Sequence, residues 1–232
     1  MNRFTSLAAA FCLLVPVMGR GAEPTRPAAL YALPADGAWV EYDWTATTPD
    51  GREHKGTLRL SSVGSKTVDG TACRWVELRK EYKQGEETKR EYRKVLIDEK
   101  AFAAAPTLRD HVRTVIGRDD DAAPQVLAAD RARSFLNMGF EDSGAALKEV
   151  RAGERVSTPL GDYKARHVTA RERSGERTRE YDAWLTTDVP FGCARFEVRE
   201  AKGDGPLKVV FTATAARSGK GAKAEVDEAK AR

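Results

Sequence analysis

The chain is poor in the residues that most often announce a chemistry. Its 232 residues include 3 cysteines and 3 histidines. His54, His111 and His167 show no metal-ligand spacing, and Cys12, Cys73 and Cys193 are far apart, so no metal site is written in local sequence. No G-x-S-x-G elbow, P-loop or dinucleotide fingerprint occurs. Ser218-Gly219-Lys220-Gly221 sets glycines beside a lysine but lies in the C-terminal tail. An internal repeat is missing too. So is charge of one sign: the net +4 comes from the two ends, and residues 23–216 carry 32 basic and 32 acidic side chains. That balance leaves no electrostatic footprint for nucleic acid. What is present, 41% hydrophobic and 32% charged residues with 4 Trp, excludes a wholly disordered chain, a collagen-like repeat and a multi-span membrane protein.

The N-terminus reads as a targeting segment. Arg3 precedes an uncharged, mostly apolar run from Leu7 to Met18, and the small residues Gly19, Gly21 and Ala22 follow. This order is that of a secretory signal peptide over residues 1–22, with a run too short for the ~20 residues of a bilayer-spanning helix. Phe11 stands before Cys12 where lipoprotein processing wants a small residue. The expectation is a periplasmic or secreted chain with no transmembrane span after cleavage. Cys73 and Cys193 then remain in an oxidising compartment, where pairing in a disulfide is expected, the alternative being two buried free thiols.

Residues 23–37 read as a linker, and a single β-rich domain follows over 38–216. Val40, Tyr42, Trp44 and Ala46 alternate with Glu41, Asp43 and Thr45, the period-2 signature of a half-buried strand. Thr48-Pro49-Asp50-Gly51 turns the chain into a second strand through Leu58 and Leu60. A five-residue loop from Lys83 to Glu87 sets Glu81 against Lys89, Arg79 against Glu91 and Glu77 against Arg93, all pairs of opposite sign. Leu108, Val112, Val115 and Ile116 have helical spacing, with Thr107 as N-cap and Gly117 as stop. A weaker helix runs from Pro124 to about Leu136, so a helical segment is expected between about 99 and 150. Strands resume at Tyr163–Arg173 and 176–186 around Ser174-Gly175, and two more end the domain. Residues 217–232, rich in Ala, Lys and Glu, are expected to be a disordered tail. The fold class is α+β: a curved antiparallel sheet of about eight or nine strands, a half-barrel or open barrel, closed by helices of the central insertion.

The Ser174-Gly175 hairpin puts His167 opposite Asp182. A carboxylate orienting an imidazole is what general-base chemistry needs, but no motif marks a nucleophile, and an ordinary cross-strand polar pair is the plainer reading. No catalytic residue, metal or cofactor is assigned, and an enzyme is not expected. Asp119-Asp120-Asp121 lacks the glycine and distal glutamate of a calcium loop.

Val156-Ser157-Thr158-Pro159-Leu160-Gly161-Asp162-Tyr163, then Ala183-Trp184-Leu185 and Asp188-Val189-Pro190-Phe191-Gly192, resemble a stretch of exported bacterial proteins of unknown function. Their fold looks like the lipoprotein-carrier (LolA/LolB-like) superfamily, a half-barrel sheet wrapped round helices. The shared motifs are turns, so no catalytic residue carries over. The resemblance implies an apolar cavity.

Two functions stand open. One is a non-catalytic carrier or sensor holding an apolar small molecule or lipid, with Tyr42, Trp44, Leu58 and Leu60 as its lining. The other is an envelope protein-interaction module whose core is filled by side chains. An apolar pocket of about 300 Å³ or more favours the first. N-terminal sequencing of the chain purified from its envelope is expected to begin between residues 20 and 27; an intact Met1 refutes export with cleavage.

Overall fold

The structure, a computed structural model, is described for residues 30–104, 111–127 and 147–232. The expected signal peptide and residues 23–29 lie outside the described residues. The strands are β1 (Trp39–Thr47), β2 (Glu53–Val68), β3 (Thr71–Gln84), β4 (Glu87–Asp98), β5 (Val112–Asp119), β6 (Gln125–Leu127), β7 (Lys148–Thr158), β8 (Gly161–Ser174), β9 (Arg177–Leu185), β10 (Cys193–Lys202) and β11 (Lys208–Gly219). They make one 11-stranded sheet in the order β6-β5-β4-β3-β2-β1-β11-β10-β9-β8-β7. All pairings are antiparallel, and β1 joins the two hairpin runs by bonding both β2 and β11. The sheet is open, with β6 and β7 as its edges.

This overturns the α+β expectation of eight or nine strands closed by helices. The α-helical element among the described residues is α1, six residues long (Glu99–Ala104), and it puts Phe102 into the core. Val112, Val115 and Ile116, spaced for a helix, instead lie in β5 against β4. Four of the five residues from Val112 to Ile116 are β-branched, which suits a pleated surface. Pairing here also satisfies the outward backbone groups of β4. Gln125–Leu127, inside the second expected helix, is β6. Thr107, Leu108 and residues 128–136 lie outside the described residues.

Two registers differ from expectation. The β3–β4 loop is only Gly85-Glu86, and Gly85 takes a φ of +66° that suits the first position of a tight hairpin. Glu81 therefore faces Arg90, Lys80 faces Glu91 and Glu77 faces Lys94, one residue from the expected ladder. The β8–β9 loop is Gly175-Glu176, which puts His167 opposite Trp184 and Asp182 opposite Thr169. That slip is two residues, so every side chain keeps its face.

One face carries the main core: Val40, Tyr42, Leu58, Leu60, Leu78, Tyr181, Phe196 and Ala213 are buried. With no second layer among the described residues, the sheet hides this face by curling. β7 reaches back to β10 and β11. At its hairpin tip the Leu160 amide donates to the Ala215 carbonyl at 3.2 Å. Tyr42 crosses the interior to donate its hydroxyl to the Cys193 carbonyl at 2.9 Å. The Pro190–Gly192 turn holds Phe191 at φ 67°, a conformation that costs an L-residue roughly 1–2 kcal/mol. Burial of that ring, and two amides (Tyr31 and Ala32) donating to its carbonyl, offset the strain. Part of the expected linker is thereby fixed: Leu30 is buried, and Gly37 donates to Ser62.

The expectation of a disordered tail is corrected as well. β11 runs to Gly219, and the segment beyond it lies on the opposite, outer face, where Val226 is 0% exposed against Cys73, Trp75, Tyr92, Leu96 and Ile116. Full burial of a valine is worth about 2 kcal/mol. Composition alone hid this, because the groove that receives Val226 is built from strands more than a hundred residues earlier.

The expected disulfide does not form: Cys73 and Cys193 are free thiols. Cys73 sits in the outer-face cluster and Cys193 in the main core, on strands separated by β2, β1 and β11. They are thus neither sheet neighbours nor stacked across one core, as a disulfide requires. Burial pushes the Cys193 thiol up to about 12. Alkylation under denaturing, non-reducing conditions is expected to label both residues; a bridged peptide by mass spectrometry refutes this.

Candidate functional site

The core-face side chains change character along the strands. On β9 they run Ala183, Tyr181, Arg179, Arg177; on β10, Phe196, Val198, Glu200, Lys202. On β3 they run Val76, Leu78, Lys80, Tyr82, and the Lys80 partner on β4 is Glu91. Each sequence goes from apolar to charged toward the same end of the sheet, where the β1–β2, β8–β9 and β10–β11 loops lie. The apolar core therefore has a polar mouth.

At this mouth a cleft of about 730 Å³ opens between the Thr47–Gly51 turn and strands β9 to β11. Its floor is Val198, Ala201, Val210 and Phe211, with Val209 47% exposed beside it. Its rim is Arg177, Arg179, Glu200, Lys202 and Lys208. Glu200 holds Arg179 at 2.9 Å and Arg177 at 3.8 Å. Lys202 and Lys208 have no acidic partner within 4.0 Å among the described residues, so the rim carries excess positive charge. A floor of this kind accepts a hydrocarbon, and a rim of this kind accepts an anion.

Tyr42, Trp44, Leu58 and Leu60 share the core face but are packed rather than open: none is more than 4% exposed. Trp44 lies next to the cleft through Phe211, whose ring stacks on it at 6.2 Å between centroids and 17° between planes. Lys80 Nζ stands over Trp44 at 4.8 Å, and burial lowers its pKa. The charge reversal after Tyr181 and Val198 was visible in the sequence as period-2 strands whose apolar stripe ends in Arg and Lys.

The other candidate, on the outer face, is His167. Its Nε2 lies 2.8 Å from Asp182 Oδ1, and its Nδ1 lies 3.1 Å from Glu154 Oε2. The expected pair is therefore present, as a diagonal neighbour rather than a directly opposed one. A carboxylate occupies the ring position where a nucleophile was required. Both ring nitrogens can donate at once only in the imidazolium form. The ring stacks on Trp184 at 4.4 Å, and Trp184 Nε1 donates to Glu154 Oε1 at 3.0 Å. Arg199 ties Asp182, Glu197 and Glu180 into one network. Because the two carboxylates bind different ring nitrogens, the three groups do not converge, and no metal-holding group of three was found among the described residues. The acidic run 119–121 is engaged in part: Asp119 pairs with Arg93 at 2.7 Å, and Asp120 accepts from the Arg90 amide at 2.8 Å.

No protein-family model matches the chain, and no curated protein matches it. Solved structures do: a Bacteroides fragilis protein provisionally described as exported, with a YmcC-like fold, has a TM-score of 0.40 and 11% identity over 82% of this chain and 99% of that one. A Parabacteroides distasonis protein provisionally described as a lipoprotein has a TM-score of 0.39 and 11% identity over 85% and 100%. Likeness at this level carries no functional conclusion. Among the described residues, no helix is long and apolar enough to cross a membrane.

The Trp184 indole, followed by the His167 charge, lowers the Glu154 pKa. A carboxyl depressed in the folded state contributes stability above its unfolded pKa and loses it as pH falls through the folded value. Trp184→Phe is expected to move the Glu154 titration upward in carboxyl-detected NMR; an unmoved titration refutes the indole as its main cause.

Proposed function

We propose that this chain is an exported, non-catalytic binding protein that seats the apolar part of a small amphipathic molecule in the cleft at the charged end of its sheet. The observation that carries this reading is the cleft itself: about 730 Å³, floored by Val198, Ala201, Val210 and Phe211 and rimmed by basic side chains. Ligand sites of this size are commonly apolar with a few polar groups that fix orientation. The rim suits an anionic head group, and the floor suits an acyl chain. Export rests on the Arg3, Leu7–Met18 and small-residue order at the N-terminus.

The test is a titration of the purified chain with a fluorescent fatty acid, followed by competition with unlabelled fatty acid and with the matching alcohol. Saturable one-to-one binding is expected, with the acid competing better than the alcohol. Val209→Asp puts a carboxylate into the cleft at an exposed position, where a substitution changes stability by only about 0.5 kcal/mol. It is expected to weaken binding at least tenfold with an unchanged melting temperature. Absence of saturable binding, or equal affinity in the variant, refutes the reading.

A further inference from the structure

The outer face of β2 to β5 holds the segment after β11 by its backbone, which bends at Glu225 and Val226 and then makes a short 3-10 turn at Glu228–Lys230. The Glu77 carboxylate, on a residue only 3% exposed, accepts from the Glu225 amide at 3.0 and 3.1 Å and from the Val226 amide at 2.8 Å. Lys94 Nζ donates to the Val226 carbonyl at 3.0 Å, and Arg118 donates to the Glu225 carbonyl at 3.1 Å. Arg79 meets the Glu225 side chain at 3.1 Å. Charged groups aimed at successive main-chain atoms, two of them (Glu77 and Lys94) buried, recognise a bent backbone whatever its side chains.

The occupant is undersized for the place it fills. A hollow of about 590 Å³ lies on one side of it and another of about 850 Å³ on the other, each lined by Trp75 and Lys66. Leu96 and Ile116 line the larger one but are themselves buried, and Val126 at its edge is 54% exposed; apart from the buried Val226 and the acidic Asp227 and Glu228, the segment presents only Ala224 and Ala229 to these hollows. At its far end the Arg232 carbonyl accepts from the Val126 amide at 3.1 Å and the Arg232 amide donates to the Pro124 carbonyl at 3.4 Å; attachment in cis adds to these contacts by raising the effective concentration of the segment.

We propose that this face is a peptide-docking groove, that residues 224–232 are its placeholder in cis, and that its partner is an acidic peptide of another protein that takes the same bent backbone. That peptide carries an aliphatic residue in the Val226 position and larger apolar residues where the placeholder has Ala224 and Ala229. The acidic preference follows from Arg79, Lys94, Arg118 and Lys66 around the segment, which itself carries Glu225, Asp227 and Glu228.

The test uses the full chain and labelled synthetic peptides, read by fluorescence anisotropy and hydrogen exchange. One peptide repeats residues 222–232; a second replaces its counterparts of Ala224 and Ala229 with Leu; a third also replaces the acidic residues with Lys. The Leu peptide is expected to bind at least tenfold tighter than the other two and to strip exchange protection from the Glu225 and Val226 amides. Glu77→Gln is expected to weaken it at least tenfold. Lys66→Glu, at an exposed position that does not threaten folding, is expected to weaken it severalfold. No binding of the Leu peptide at about 1 mM, equal binding of the Lys peptide, or binding that leaves the Glu225 and Val226 amides protected overturns the proposal.

Discussion

Hydrogen bonds between β1 and β11 join two meanders that would otherwise each present an oily face with nothing to set against it. Among the described residues β1–β11 is the only pairing of strands not consecutive in the chain, and the residues of β1 reach into both halves. Trp44 packs on Phe211 of β11, and Tyr42 donates to the carbonyl of Cys193 on β10. Until this pairing forms, neither half can bury its half of the core, and closing a loop of more than a hundred residues carries its entropy cost before the contacts repay it. Once it forms, the curl of the sheet is set, because the core has no helical layer to lean on among the described residues.

A sheet that covers itself cannot cover itself everywhere. The curl closes best where side chains are small and apolar, as at Ala183, Ala213 and Ala215, all fully buried. Toward the hairpin loops the same strands bring Arg179, Glu200 and Lys80 onto the core face. Charged side chains there keep water access and hold the two halves apart, since closing over them without partners costs several kcal/mol each. The cleft is therefore a consequence of the apolar-to-charged gradient, and Val209 and Phe211 stay reachable because the strands stop being apolar beside them.

Most of the strands were legible in the sequence because period-2 alternation survives wherever one face is buried. Three things were not. Val112, Val115 and Ile116 fit a helical face and a strand equally by spacing, and only the unpaired edge of β4 decides between them. The β3–β4 register was ambiguous by charge: Glu81–Arg90 and Glu77–Lys94 are as complementary as the pairs one residue away. The β8–β9 register was misread by two, yet His167 and Asp182 still met, because a two-residue slip preserves the face and leaves diagonal neighbours within reach. As for the cleft, its aromatic neighbour Trp44 was legible from the alternation of β1, whereas its basic rim joins Arg177 and Arg179 of β9, Lys202 of β10 and Lys208 of β11, which only the pairing of these strands brings together.

The outer face explains why nearly a third of the chain is charged without a net excess in the folded part. Its aromatic rings have no second layer above them, so cations cover them instead. Arg59 lies over Trp39 at 4.1 Å, Arg118 over Tyr92 at 4.0 Å, Lys94 over Trp75 at 4.9 Å and Arg195 over Trp184 at 5.0 Å. Such lids shed water from a ring while their charged ends stay solvated or paired. What pairs them differs across the sheet. Arg195 is held by Glu197 at 2.8 Å, carboxylate to guanidinium, within β10 itself. Lys94 and Arg118 turn their donors to the backbone carbonyls of residues 225 and 226. On one half of the sheet the cationic lids close a side-chain network; on the other, Lys94 and Arg118 close on the bent backbone of the segment after β11.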